Sequence, residues 1–260
     1  MIINGTHNTI VDSQFGPRAQ SYLTSAVHAN GADLDLMADI IGQRPDAIAL
    51  DLGCGGGHAA YRLAPLVNTV VAYDLSEQML MVVAEEAKRR EVSNVVTKLG
   101  AAESLPCASK SFDIAVTRYS AHHWHDVPAG LAQMRRVLKP GGLAVFMDVM
   151  APDSPLLNTW LQTLELLRDP SHVRNASFSE WEKMLNAAGF AVRSVTSFRL
   201  RLDFTTWVER MKTPESHVTA IRSLQQHASA EVADYFSIEK DGSFTVDSIL
   251  ITADPTTTSG

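Results

Sequence analysis

A run of glycines lies where a buried strand is expected to end and a helix to begin. The segment reads Asp51-Leu-Gly-Cys-Gly-Gly-Gly57 and completes the apolar stretch 47–52. Glycine lets the backbone turn tightly and approach a ligand closely, because no Cβ stands in the way. The same glycines would also suit a plain tight turn, so their meaning depends on the residues around them.

A second acid, Asp74, ends the next predicted strand, 69–74. A carboxylate about twenty residues beyond such a loop can accept hydrogen bonds from the hydroxyls of a ribose. The carboxyl ends of parallel strands share one edge of a sheet, so Asp74 and the glycine loop are expected to lie close together. Together they predict a nucleoside site at that edge.

Dinucleotide dehydrogenases carry a similar loop with the spacing GxGxxG, at which a helix N-terminus binds a pyrophosphate. Here the spacing is GxGGG, and Asp51 stands two residues before the first glycine, Gly53. A carboxylate so near the loop repels a pyrophosphate but suits a ligand with a positively charged amino group. The residues therefore favour a nucleoside that bears an amino acid, with a nicotinamide cofactor as the less favoured alternative.

A cluster of histidines follows the predicted strand 112–119. The segment reads Arg118-Tyr-Ser-Ala-His-His-Trp-His125, and the topology places it at the rim of the nucleoside site. Histidine suits proton transfer near neutral pH, so His122 and His123 are candidate catalytic bases or substrate-positioning residues. They could equally cap the next helix or face water. No carboxylate stands among them in the loop, so no metal site is predicted.

Strand and helix patterns alternate from residue 47 onward, which predicts a parallel sheet with crossover helices. Ser76 occupies an expected N-cap position, and Ser179 with Glu182 predicts a capping box for a later helix. Helical patterns also cover 18–29 and 33–41, ahead of the sheet, and most of 205–236. The predicted strands are 47–52, 69–74, 95–99, 112–119, 143–149, 190–204 and 244–252, and the helices between the first five are 58–66, 76–91 and 127–138.

Five motifs in this order resemble the signature of class I S-adenosylmethionine-dependent methyltransferases, nearest to the UbiE-like branch of ubiquinone/menaquinone C-methyltransferases. The resemblance implies a Rossmann-like α/β fold with a seven-stranded, mostly parallel sheet, helices on both faces and an antiparallel last strand. It also implies an N-terminal helical cap and a helical insertion before the last strand. The motifs are Asp51-Leu-Gly-Cys-Gly-Gly-Gly57, Asp74-Leu-Ser-Glu-Gln-Met79, Ala102-Glu-Ser-Leu-Pro106, Ser111-Phe-Asp-Ile114 and Arg136-Val-Leu-Lys-Pro-Gly-Gly142.

The resemblance also implies which residues bind S-adenosylmethionine. Many relatives carry Asp or Asn where this chain has Ala101, so a hydrogen bond to the adenine amino group would fall to Glu103 or to a backbone group. The implied positions are Asp51, Gly53, Gly55, Gly56 and Arg118 near the methionyl part, Asp74 on the ribose, Leu75 and Met79 against the adenine, and Ala101 and Ala102 at its edge.

Two further segments are candidates to close the site. The stretch 15–22 resembles the N-terminal cap of the family, in which an aromatic ring often lies over the cofactor, and it ends in Tyr22. The stretch 168–174 lies where lids over class I sites commonly arise, and it contains His172. Tyr22 and His172 join the candidate catalytic residues. The alternatives are a helix packed on the sheet edge and a solvated loop, respectively.

Composition excludes several classes of protein. The net charge is −7 and no Lys/Arg run compensates for it, so nucleic acid is not an expected partner. Cys54 and Cys107 are too few for a disulfide framework or a zinc site. The longest apolar runs are far shorter than the roughly 20 residues of a membrane span, and no leader precedes them. These features predict a cytoplasmic protein without a transmembrane segment.

The domain organisation follows from the same patterns. Residues 1–43 are predicted to form the N-terminal helical cap, and residues 44–253 the S-adenosylmethionine-binding domain. Lid segments are expected near 151–178 and 204–240. Residues 1–8 and 254–260 lack periodicity and are expected to be loose ends.

These observations predict a methyltransferase that passes the methyl group of S-adenosylmethionine to a carbon, oxygen or nitrogen of a small molecule by in-line displacement. S-adenosylhomocysteine is the expected product. The resemblance favours a quinone-like or other partly apolar acceptor, although acceptors change freely within one fold. The alternative is a catalytically idle protein that binds the cofactor in a regulatory or scaffolding role. The residues do not indicate an oligomeric state.

Overall fold

A seven-stranded sheet forms the centre of the computed structural model, which describes residues 5–23 and 31–256. The strand order is β3-β2-β1-β4-β5-β7-β6. Strands β1 to β5 pair in parallel, and β7 runs antiparallel between β5 and β6. The expected mostly parallel sheet with an antiparallel last strand is confirmed. The strands are β1 (Arg44–Leu52), β2 (Val67–Asp74), β3 (Val95–Leu99), β4 (Phe112–Arg118), β5 (Leu138–Met150), β6 (Phe190–Leu202) and β7 (Phe244–Pro255).

Helices cover both faces of this sheet and connect its strands. Two short 3-10 turns, Gly16–Arg18 and Ala121–His123, lie next to the glycine loop edge. The α-helices are α1 (His7–Phe15), α2 (Ala19–Leu23), α3 (Ala32–Ile41), α4 (His58–Leu63), α5 (Glu77–Arg89), α6 (Val127–Val137), α7 (Pro155–Arg168), α8 (Phe178–Ala187), α9 (Phe204–Met211), α10 (Glu215–Gln226) and α11 (Ala230–Tyr235).

Successive residues of each strand point to opposite faces of the sheet, so β1 contributes to two cores. Ala49 packs with side chains of α3, α4 and α5 on one face. Leu50 and Leu52 pack with α6 and α8 on the other face, where Trp181 is buried. A third cluster joins α7 to the helical insertion α9–α11, beside the first residues of β7. Both central faces are thus covered, as a parallel sheet requires.

The N-terminal region differs from the prediction. Residues 1–8 were expected to be loose, but α1 begins at His7, with the Thr6 side chain accepting a hydrogen bond from the Thr9 amide. The nine residues of α1 include only three apolar ones, Ile10, Val11 and Phe15, which are too few to give an apolar stripe that periodicity could detect. Of the helix predicted over 18–29, the structure describes α2, and residues 24–29 lie outside the described residues.

At the other end, β7 continues to Pro255, although residues from 254 onward were expected to be loose. Asp254 pairs with Ala191, and Pro255 pairs with Phe190, at the start of β6. This end of β7 is ordered because it pairs with β6, which is distant in sequence. Local composition did not reveal that pairing. Among the described residues, no helix combines the length and the apolar character that a membrane span requires.

The capping box predicted for α8 is wrong by two residues. Ser177, not Ser179, caps the helix, and the Glu180 carboxylate accepts a hydrogen bond from the Ser177 amide at 2.9 Å. The sequence contains two overlapping Ser-x-x-Glu patterns here, and only the three-dimensional path of the chain selects one. Ser179 instead donates its hydroxyl to Asp153 at 2.7 Å.

This assignment yields a stability prediction. The variant Ser177→Ala should lower the free energy of unfolding by about 1 kcal/mol, because the first turn of α8 loses its cap. The matched variant Ser179→Ala, which removes an exposed hydrogen bond, should have a smaller effect. Urea denaturation of both variants checks this, and equal losses would contradict the assignment.

Candidate active site

The chain reverses its direction of winding between β1 and β4, which lie side by side although β2 and β3 intervene in sequence. Open α/β sheets bind ligands at such a switch point, beyond the carboxyl ends of the strands. A cavity of about 1010 Å³ opens there. All the positions expected to bind the cofactor lie in its walls: Asp51, Gly53, Gly55, Gly56, Asp74, Leu75, Met79, Ala101, Ala102, Glu103 and Arg118.

Position 53 of the glycine loop requires glycine for two separate reasons. Its φ is +71°, in the left-handed region, and a Cβ there would lie 1.8 Å from Oγ of Ser120. The amides of Gly53 and Cys54 both donate to the Tyr73 carbonyl, at 2.8 and 3.0 Å. The loop is thereby fixed against the end of β2, with its backbone exposed to the cavity.

Asp74 joins that loop to the helix that follows β2. Its Oδ2 accepts from the Gly55 amide at 2.8 Å, and its Oδ1 accepts from the Ser76 amide at 2.9 Å. Burial raises the pKa of the Asp74 carboxyl, and these amide hydrogen bonds offset only part of the effect. Ser76 takes the expected N-cap position of α5, but its hydroxyl makes no capping bond.

Asp51 is a buried acid without adequate partners. Its side chain is 1% exposed, and neither carboxylate oxygen has a hydrogen bond of normal geometry among the described residues. Burial raises the pKa of Asp51 to about 7, with the Asp74 charge adding to the rise, while the nearby Ala60 amide and Arg118 lower it in part. A carboxylate kept in this state at a cavity wall is suited to a cationic ligand group.

Arg118, at the end of β4, is held by an acid that the sequence did not single out. Its Nε lies 2.5 Å from Oδ2 of Asp33, and Nη2 lies 3.1 Å from Oδ1. Both side chains are buried, so the first turn of α3 is joined to the floor of the cavity by a paired contact. An acid in the first turn of a helix is an ordinary sequence feature, and nothing local identified Asp33 as its partner.

Helix α1 supplies a wall that sequence periodicity missed. Asn8, Val11 and Phe15 line the cavity. The helix reaches the histidine segment through Nε2 of His7, which lies 2.8 Å from the His123 carbonyl. Glu103, on the opposite side, pairs with His125 at 2.8 Å.

A second cavity, of about 600 Å³, adjoins the first, and Phe15, Tyr119 and His123 lie in the walls of both. Tyr119 has a φ of +48°, a strained backbone for a non-glycine residue and one that clusters at functional sites. The other wall residues combine apolar and polar side chains: His122, Val149, Glu165, Arg168, Asn175, Leu200, Leu202, Trp207 and Arg210.

His122 faces this second cavity and forms a buried dyad with Asp148 on β5. Nδ1 of His122 lies 2.5 Å from Oδ1 of Asp148. Burial lowers the pKa of His122, but the charge and hydrogen bond of Asp148 outweigh that effect, so the pKa lies above its usual value. Bonding Nδ1–H to the carboxylate leaves Nε2 as the basic nitrogen.

The other candidate catalytic residues have different surroundings. His123 is bonded through Nδ1 to the Ser171 carbonyl at 3.1 Å, and burial together with the nearby His122 charge lowers its pKa to about 3. His172 lies in neither cavity; its Nε2 is 2.9 Å from Oε1 of Gln162, and burial lowers its pKa to about 2. The side chain of Tyr22 lies outside the part of the chain that the structure describes.

Comparisons with known proteins agree with this architecture. The model of the methyltransferase domain family matches residues 50–146. The "uncharacterized protein YafE" of Escherichia coli is 50% identical over 201 residues, which cover 77% of this chain and 97% of that protein. The "2-phytyl-1,4-naphtoquinone methyltransferase" of Synechococcus elongatus is 36% identical over 123 residues, which cover 46% of this chain and 53% of that enzyme.

A methyltransferase of Bacillus subtilis is similar in both sequence and structure. YcgJ is 37% identical over 227 residues, which cover 87% of this chain and 90% of that protein. Its crystal structure superposes with a TM-score of 0.82 at 35% identity, covering 86% of this chain and 98% of that one. The chain therefore belongs to the class I S-adenosylmethionine-dependent methyltransferases, and it is an enzyme of that family.

Proposed function

We propose that this methyltransferase acts on a small-molecule acceptor that binds in the second cavity, beside the cofactor. The observation that carries the proposal is the shared wall of the two cavities, made by Phe15, Tyr119 and His123. Displacement at a methyl carbon needs the acceptor directly behind that carbon, so donor and acceptor sites must adjoin.

The residues of the first cavity fit S-adenosylmethionine. The under-bonded carboxylate of Asp51, which lies in the cavity wall, matches a cationic amino group. Asp74 would hold the ribose, with Leu75 and Met79 against the adenine. When bound, S-adenosylmethionine supplies an electrophilic methyl group on a sulfonium sulfur.

His122 is the proposed base for the acceptor. Its Nδ1 is fixed by Asp148, so Nε2 is the nitrogen that would accept a proton from the acceptor. The same carboxylate stabilises the imidazolium that results. His123 and His172 have lowered pKa values and stay neutral, so neither competes for that proton.

The relatives whose names include an acceptor do not share one acceptor. The match to the naphthoquinone methyltransferase covers less than half of this chain. Residues 165–210, which supply most of the second cavity, lie outside the match to the methyltransferase domain model. The residues that line the second cavity are therefore a better guide to the acceptor than the relatives are.

The proposed function is tested by turnover with an unbiased set of acceptors. The purified protein, supplied with S-adenosylmethionine bearing a labelled methyl group and a metabolite extract, should produce S-adenosylhomocysteine and a small molecule heavier by one labelled methyl. Mass spectrometry with and without protein measures both products. If the label appears in no small molecule, the proposed function is wrong.

The cofactor site gives a prediction about affinity. Asp74→Ala should weaken S-adenosylhomocysteine binding by about tenfold or more, because a charge-assisted hydrogen bond is lost. Asp39→Ala, an exposed substitution on α3, is the matched control and should leave the affinity unchanged. Isothermal titration calorimetry measures both. Unchanged affinity in Asp74→Ala would contradict the assignment.

The His122–Asp148 dyad gives a prediction about pH. A base works only when unprotonated, so kcat/KM should rise with pH through the raised pKa of His122 and then level off. Asp148→Asn removes the charge that raises this pKa, so the rise should move to lower pH. His122→Asn should lower kcat by about 10² or more.

The control for these profiles is His227→Asn, which alters an exposed histidine whose Nδ1 bonds the local Ser223 carbonyl. Its pH profile should match that of the unmodified enzyme. If Asp148→Asn left the rise in place, His122 would not be the titrating group.

A further inference from the structure

Two pairs of charged or ionisable side chains lie at the second cavity. Arg168 Nη1 lies 3.5 Å from Oε2 of Glu165, and both side chains are largely buried. His122 and Asp148 form the second pair. Arg210 also lies in the wall and has contacts of its own. The Glu165–Arg168 pair carries no net charge, so it gives no preference for an anionic or a cationic acceptor.

Asn175 differs from these residues because its side chain is not paired at all. It lies in the wall of the second cavity and is 1% exposed. Neither Oδ1 nor Nδ2 has a hydrogen-bond partner within the described parts of the chain. Buried amides are nearly always bonded, because an unmade bond costs the full desolvation of the group. A buried amide that is left unbonded at a cavity wall therefore indicates that a ligand in the cavity bonds it.

The position of Asn175 is fixed by other groups, so the unpaired amide does not result from a loose loop. Its backbone N–H donates to Oε1 of Gln162 at 3.0 Å, and its carbonyl accepts from Nε2 of Gln162 at 2.8 Å. His172 bonds the same Oε1 at 2.9 Å. Neutral His172 can donate this bond from Nε2, which orients Gln162 and through it Asn175. His172 is therefore a positioning residue for this wall.

We propose that Asn175 binds the acceptor through an uncharged polar edge that offers a hydrogen-bond donor next to an acceptor. A primary amide presents C=O and N–H side by side and matches such an edge with two bonds, as Asn does with the edge of adenine. Hydroxy-ketones, lactams and primary amides share this chemistry. A quinone offers acceptors only, and it would leave Oδ1 of Asn175 unbonded.

The apolar part of the same wall fits the rest of such a molecule. Trp207, Leu200 and Leu202 line the cavity. The Trp207 ring is held in place by Arg168, whose guanidinium carbon lies 4.9 Å from the ring centre. A planar ring against these side chains and a polar edge at Asn175 describe one acceptor class, which extends the proposed function.

The test is the variant Asn175→Leu, which keeps the size of the side chain and removes both polar atoms. The Tm of the protein with S-adenosylhomocysteine bound should rise by about 2–4 °C, because an unsatisfied buried amide is removed. KM for the acceptor that the methyl-labelling assay identifies should rise about tenfold, with unchanged affinity for S-adenosylhomocysteine.

The matched control is Asn94→Leu. The Asn94 amide donates to the carbonyls of Ala64 and Val67 at 2.8 and 3.0 Å, so its loss should lower the Tm. Asn175→Ala is the second variant in case leucine overfills the wall, and it should also raise KM.

Each outcome decides the inference separately from the proposed function. A fall in Tm for Asn175→Leu comparable to that of Asn94→Leu would assign Asn175 a structural role and overturn the inference. An unchanged KM in both Asn175 variants, or a wild-type acceptor that bears only carbonyl oxygens, would overturn it too. If the wild type methylates nothing, the proposed function fails, and the Tm comparison alone decides the role of Asn175.

Discussion

The carboxylate of Asp74 holds the cofactor site together. With one oxygen it accepts from the glycine loop after β1, and with the other it accepts from the first turn of α5 after β2. Two separate strand-to-helix connections therefore meet at a single side chain. Charge-assisted bonds of this kind are stronger than neutral ones, and they fix the loop in the geometry that a nucleoside requires. Asp51 lies beneath this arrangement, and its raised pKa reflects the desolvation of a second acid beside the first.

The two cavities differ in the charged side chains of their walls. In the first, acids are concentrated and Asp51 is under-bonded, which favours a cationic partner. In the second, opposite charges are paired, and the neutral residues His123 and Asn175 complete the walls. The three buried histidines accordingly diverge in pKa, because only His122 has a carboxylate bonded to its ring. Of these three histidines, only His122 has a raised pKa.

Local patterns predicted those parts of the molecule that depend on neighbours in sequence. The strand, glycine turn and helix around Gly53 form a continuous segment, and Asp74 follows from the same repeat one strand later. The predictions failed where distant groups decide. The residues of α1 carry no apolar stripe, two Ser-x-x-Glu patterns compete at α8, and the ends of β6 and β7 order each other. Asp33 contacts Arg118 at the end of β4, and Asn175 is held by Gln162 of α7. Local patterns could not reveal either contact, because the partners are not neighbours in sequence.

Helices α1 and α3 border the same cavity but differ greatly in how firmly they are attached. Helix α3 is anchored by the buried pair of Asp33 and Arg118, and separating that pair would strand two charges in a low-dielectric interior. Helix α1 has no buried residue, and one of its links to the sheet edge is a single bond from His7. Local opening starts at the least-attached element, so we expect α1 to separate from the cavity more readily than α3.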